Sequence, residues 1–244
     1  MAETGRLVAG LDGCRSGWAG VVLDADNPTA PQMRHYERFG DVLDDAPALA
    51  VIAVDMPIGL PEQVSKGGRG AEQAARPLLG PRQSSVFSVP GRAAVMASDY
   101  AQACAISLTT SDPPRKVSKQ CFNLFPKIRE IDALMTPALE ARVYEVHPEV
   151  AFWRLNGERA MALPKKIKGR ANEPGLAERR VLLEAHGFEE AFFEQKRATG
   201  VGADDLIDAS VNALIAIRIL NGQARSLPTE PARDDRGLRV AIWA

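Results

Sequence analysis

The chain has 244 residues, 45% hydrophobic and 25% charged, which suits one generous domain with its own core and excludes wholesale disorder, collagen-like repeats and a coiled coil. Thirty basic against thirty-one acidic side chains leave a net charge of −1, so the chain does not coat nucleic acid or membrane through bulk charge. Three scattered cysteines without a Cys-x-x-Cys pair, no apolar run of about 20 residues and no signal-like start together read as a soluble cytoplasmic protein with no membrane association, no disulfide framework and no structural zinc site.

The first element is Leu7-Val8-Ala9-Gly10-Leu11-Asp12, an apolar strand ending in an acid, followed by a glycine-bounded turn and a second strand from Trp18 to Leu23. A third strand is expected near Met33 to Arg38, and a short helix over 40–49. Ala50-Val51-Ile52-Ala53-Val54-Asp55 is a continuous apolar run of the kind buried on both faces, again ending in an acid. From Glu62 to about Glu140 the chain is rich in Gly, Pro, Arg and Ser, with one helix predicted over 98–108. This stretch reads as a functional insertion of roughly 62–140 after the fourth strand. A fifth strand follows over 141–146, then helices near 149–155, 176–186 and 203–221, and a last short strand over 238–243. Strands one and two, joined by a short turn, must be antiparallel, whereas the helix before strand four lets it return parallel to strand one. The expected architecture is a single α/β domain spanning 1–244, a mixed five-stranded sheet flanked by helices.

Asp12 and Asp55 end strands that become neighbours, so both carboxylates fall at one edge of the sheet, where open α/β sheets gather functional groups. Glu145 ends a third strand, with His147 two residues beyond. The last long helix is apolar on most faces yet carries Asp204, Asp205, Asp208 and Asn212 as one polar stripe. Carboxylates gathered without a counter-charge raise one another's pKa, and a hard divalent cation removes the conflict. Mg²⁺ or Mn²⁺ is therefore the expected cofactor, with Asp12, Asp55 and Asp208 as metal ligands and Asp205 and Glu145 as further ligands or water-positioning acids. Several of these residues also have a plainer reading: a turn cap for Asp12, a helix cap for Asp204 or Asp205, an arginine partner for Glu145, a turn or core role for His147; Asp208, one turn further in, is harder to read as a cap.

Basic residues cluster in three stretches. Lys66, Arg69, Arg76, Arg82 and Arg92 face Glu72 alone; Arg115, Lys116, Lys119, Lys127 and Arg129 face no acid; and eight lysines and arginines between Arg154 and Arg180 face three glutamates. Such patches suit phosphate contacts, making nucleic acid the expected partner, although each also fits a solvated surface. Arg82, Ser85, Lys119, His147 and Lys165 are the candidate substrate-binding residues. The Gly80–Pro90 loop, with its paired serines, arginine and phenylalanine, reads as substrate-facing.

In order along the chain, Gly10-Leu11-Asp12-Gly13-Cys14 with Gly17-Trp18, Val54-Asp55-Met56-Pro57-Ile58-Gly59-Leu60-Pro61, Ser84-Ser85-Val86-Phe87, Tyr144-Glu145-Val146-His147-Pro148-Glu149 and Asp204-Asp205-Leu206-Ile207-Asp208-Ala209 resemble family 429 of the domains of unknown function, a predicted-nuclease group assigned the ribonuclease H-like fold. Asp205-x-x-Asp208-Ala209 is also similar to the final-helix acids of Holliday-junction resolvases. The resemblance implies Asp12 as a first-strand metal ligand and Asp55 as the fourth-strand acid. Around Gly70–Arg76 the chain departs from the family pattern, with Glu72 where a Cys-Asp-like pair is expected, and no catalytic role is carried over to that loop.

The leading expectation is a metal-dependent nuclease or nuclease-like phosphodiester hydrolase using a two-metal carboxylate mechanism. An ATP-dependent phosphotransferase of the related actin-like fold and a non-catalytic binding module on the same scaffold are the alternatives. The sequence leaves oligomeric state open, a homodimer included.

Overall fold

The computed structural model describes residues 6–45 and 49–244. Its centre is a five-stranded sheet of β1 (Leu7–Cys14), β2 (Gly17–Asp24), β3 (Asn27–Tyr36), β4 (Leu49–Val54) and β5 (Val143–Glu145), in the order β3-β2-β1-β4-β5. β1, β2 and β3 form an antiparallel meander, while β4 runs parallel to β1 and β5 parallel to β4. This is a ribonuclease H-like arrangement.

The apolar runs of β1 and β4 are covered on both faces, which is why they read as continuous hydrophobic stretches rather than alternating ones. Ala9, Leu11, Ile52 and Val54 join one buried cluster with Trp18, Phe39 and Phe125. Val8, Val51 and Ala53 join another with the long helix α9 (Ala203–Leu220). Gly10 sits where α9 crosses β1: a Cβ there would lie 2.1 Å from the Ala213 backbone nitrogen and 2.2 Å from the Ala209 carbonyl oxygen. Only glycine lets helix and strand approach so closely.

Between β4 and β5 the chain leaves the sheet, as expected for an insertion. It holds α2 (Gly70–Ala75), α3 (Arg92–Val95), α4 (Tyr100–Thr109) and α5 (Lys119–Leu134), with α1 (Phe39–Asp45) preceding β4. After β5 come α6 (Pro148–Leu155), α7 (Glu173–Ala185) and α8 (Glu190–Glu194) before α9.

Several expectations change. β3 begins at Asn27 and ends at Tyr36, because its alternating exposed and half-buried residues belong to an edge strand that hydrophobicity alone does not mark. The short helix closes at Asp45, and 46–48 of its expected span lie outside the described residues. The terminal strand shrinks to Ile242–Trp243, paired with Ser226–Leu227 rather than with the central sheet. β1 continues past Asp12 to Cys14, so Asp12 pairs opposite Ala19 inside the strand instead of ending it.

Candidate functional site

Parallel pairing of β1 and β4 sets Leu11 opposite Val54, and the Asp55 backbone N–H donates to the Leu11 carbonyl at 3.0 Å. Asp12 and Asp55 are thereby fixed side by side. Asp12 is almost fully buried and accepts the Gly13 backbone N–H at 2.9 Å. Asp55 is partly open.

The polar stripe of α9 faces this pair. Asn212 donates to the Leu11 carbonyl at 3.0 Å, pinning the helix to β1 beside the acids. Asp205 accepts the Gly202 backbone N–H at 2.8 Å, and so acts as a first-turn cap. Asp208 is buried, with one carboxylate oxygen bonded to the Lys165 ammonium and the other, Oδ1, without a partner. Lys165 precedes a two-residue hairpin ladder, Lys166–Ile167 against Arg170–Ala171, whose Lys166 pairs with Asp204 at 2.5 Å.

Charge in this cluster does not balance. Burial, then Asp208 and Asp55, push the Asp12 carboxyl well above the ordinary range, against the pull of Lys165. Burial raises Asp55, with His147 and Lys165 working the other way. Asp208 is pushed by burial up to about 7 despite Lys165. Burial opposes charge on Lys165 itself, but Asp208, Asp12 and Glu149 outweigh it and hold the ammonium firmly protonated. Three acids thus share one permanent cation, and protons supply the rest.

Hard carboxylate oxygens, an unpartnered Asp208 Oδ1 and a deficit of positive charge are what Mg²⁺ or Mn²⁺ accepts. The residues fit such an ion in chemistry. In arrangement, no group of three or more His, Cys, Asp or Glu side chains among the described residues stands as a finished ligand set; the charge among the carboxylates is carried by Lys165.

Asp12 and Asp55 open into a cavity of about 640 Å³. Arg82, Ser85, His147 and Lys165 line it, as do Lys166 and Lys168. Apolar side chains, Phe87, Val89, Leu124 and Ile128 among them, line it as well. Asp208 and Asp205 lie outside the lining, Asp208 held by Lys165. His147 caps α6, and its Nε2 lies 3.3 Å from the Ser85 carbonyl oxygen. A carbonyl only accepts, so Nε2 carries a hydrogen, while Nδ1 is buried and unpartnered.

Two of the expected residues are placed elsewhere. Lys119 is exposed, with Nζ 3.7 Å from the centre of the Tyr100 ring, and its neighbour Gln120 lines the cavity instead. Glu145 lines the cavity but is committed to Arg69, which donates to its two oxygens at 2.6 and 3.0 Å and to Glu72 at 2.5 and 2.8 Å. The Ile58 backbone N–H adds a bond at 2.7 Å. Arg69, Glu72 and Glu145 are all buried, and burial pushes Glu145 up to about 7 against the arginine's pull.

This triad also revises the reading of the basic stretches. Arg69 and Arg179 are completely buried, the latter bound bidentately to Glu149. Arg92 bridges Asp132 and Asp234, and Arg129 donates to the Val95 and Ala97 carbonyls. Four residues counted as surface cations are internal cross-links, and the positive rim of the cavity comes from Arg82 and the 165–168 segment.

A ribonuclease H-like sheet with acids from its first and fourth strands beneath a basic-rimmed cavity defines an α/β protein with a strand-edge site. Residues 10–233 match the family model described as protein of unknown function DUF429, and the chain belongs to that family. No curated protein and no solved structure matches it.

Proposed function

We propose that the protein is a metal-dependent nuclease or nuclease-like phosphodiester hydrolase acting on nucleic acid. The observation that carries this reading is the pairing of Asp12 and Asp55 on a cavity that Arg82, Lys165, Lys166 and Lys168 also line. Carboxylates beside ammonium and guanidinium groups match a substrate with an anionic backbone and a reaction centre that needs a counter-ion.

Asp12, Asp55 and Asp208 would hold Mg²⁺ or Mn²⁺, whose charge would add to that of the Lys165 ammonium on Asp208. When bound, the ion would supply charge neutralisation at phosphate and a more acidic water. Arg82, Lys166 and Lys168 bind and orient the phosphate. His147, held through Nε2 by the Ser85 carbonyl, is part of the cavity lining. Asp205 secures the first turn of α9 and hence the position of Asp208. Glu145 positions the 56–61 loop through Arg69 and Ile58.

The test is cleavage of a panel of DNA, RNA and branched substrates with Mn²⁺ or Mg²⁺. Asp12→Asn is expected to abolish cleavage while leaving circular dichroism and the melting transition cooperative. Absence of metal-dependent cleavage across the panel by the wild-type protein refutes the reading.

A further inference from the structure

The cavity has a shape and polarity that select among nucleic-acid substrates. Its volume of about 640 Å³ falls in the range of about 300–1,000 Å³ that small-molecule sites occupy. Its lining is also mixed: Phe87, Val89, Leu124 and Ile128 are apolar, Arg82, Lys165, Lys166 and Lys168 cationic, and Asp12 and Asp55 acidic.

A continuous duplex has its bases stacked and paired. It would present phosphates to the cationic groups and leave the apolar lining empty. An unpaired nucleotide is amphipathic as the cavity is, with a flat apolar base, polar base edges and an anionic phosphate.

Resting on the reading of this site as a phosphodiester hydrolase, we infer that the cavity receives one whole unpaired nucleoside phosphate unit. The base lies against Phe87 and Leu124, and the phosphate meets Arg82 and the Lys165–Lys168 segment. The unit can come from a free nucleotide or from a single strand, and internal duplex is excluded. Phe87 and its neighbours are then the residues that set substrate choice, apart from the acids that carry the chemistry.

Equilibrium binding tests this without requiring turnover. Calorimetric titration of the wild-type protein with AMP, ribose 5-phosphate, a single-stranded hexanucleotide and a covalently closed duplex circle separates base from phosphate and strand from duplex. AMP is expected to bind about tenfold more tightly than ribose 5-phosphate, the scale of one base-to-wall contact. Phe87→Ala should remove that advantage for AMP and leave ribose 5-phosphate within about twofold. Leu124→Trp, which adds bulk to the apolar lining, should block AMP and decides the matter if the Phe87 variant unfolds. Tighter binding of the hexanucleotide than of AMP identifies a strand as the source, and the reverse order a free nucleotide; either supports the inference.

Equal affinity for AMP and ribose 5-phosphate overturns it, as does no binding of either AMP or hexanucleotide, or a closed circle bound as tightly as the hexanucleotide. Cleavage within closed duplex would sink this inference while leaving the hydrolase reading intact. Base-dependent AMP binding by a protein that cleaves nothing would do the opposite.

Discussion

Replacing Asp208 with Asn tests whether the carboxylate cluster is held together at a cost to stability. An ordinary aspartate titrates near 3.9, whereas burial moves Asp208 to about 7. Between these values the folded chain keeps a proton that the unfolded chain has released. Stability therefore falls as pH rises through this window and levels off above it, opposite to the usual salt-bridged carboxylate. Three pKa units set a ceiling of about 4 kcal/mol at pH 8. The shift already includes the pull of Lys165, so Asn, uncharged like the protonated acid, removes the whole burden, and a gain of up to about 4 kcal/mol is expected at pH 8. At pH 5, where wild-type Asp208 is already protonated, the gain should vanish. Urea unfolding in chelator at both pH values measures it. A variant less stable than wild type at pH 8, or a difference that does not change with pH, refutes the reasoning.

Two further outcomes concern the scaffold. Arg69→Met leaves Glu72 and Glu145 buried without their shared cation and should cost about 3–5 kcal/mol by chemical denaturation; a loss under about 1 kcal/mol would mean that the triad is not held as described. Gly10→Ala drives a methyl group into the α9 backbone and should destabilise by more than about 3 kcal/mol, visible as a lower urea midpoint, and a near-neutral result would show that α9 can stand away from β1.

How much was legible in the sequence follows from what makes a residue's role local. β1, β2 and β4 announce themselves by apolar runs, and their parallel or antiparallel senses follow from the lengths of their connections. Asp12 and Asp55 could be brought together on that basis alone. The α9 stripe was equally readable, because 3.6-residue spacing survives in sequence whatever lies opposite. Helix α5 was not expected: Pro126 interrupts it, and Lys119–Asn123 looks like a polar loop. The spacing of Cys121, Phe125, Ile128 and Ile131 was the signal, with Ser118 accepting the Cys121 N–H at 3.1 Å as its cap. The partners of Arg92 and Arg179, and Glu145 as a partner of Arg69, were beyond reach, since these ion pairs join residues 30 to 142 positions apart and nothing local separates such an arginine from a surface one. The commitment of Lys165 to Asp208 across 43 positions is hidden in the same way.

Helix α5 has a consequence for how this protein can change. Phe125, Ile128 and Ile131 of α5 are buried against β1 and β4, while Gln120, Leu124 and Ile128 of the same helix look into the cavity. Trp18 on β2 donates to Glu130 at 3.2 Å, and Lys127 lies 4.4 Å over its ring. The stretch between β4 and β5 is therefore no detachable accessory, because excising it would strip one whole face of the sheet. Substitutions that reshape the substrate chamber are felt immediately in the packing behind it. Divergence of specificity in such a chain must proceed through paired changes, one on each side of a single helix, and variants altered on one side only should be recovered as poorly folded proteins before they are recovered as enzymes with new preferences.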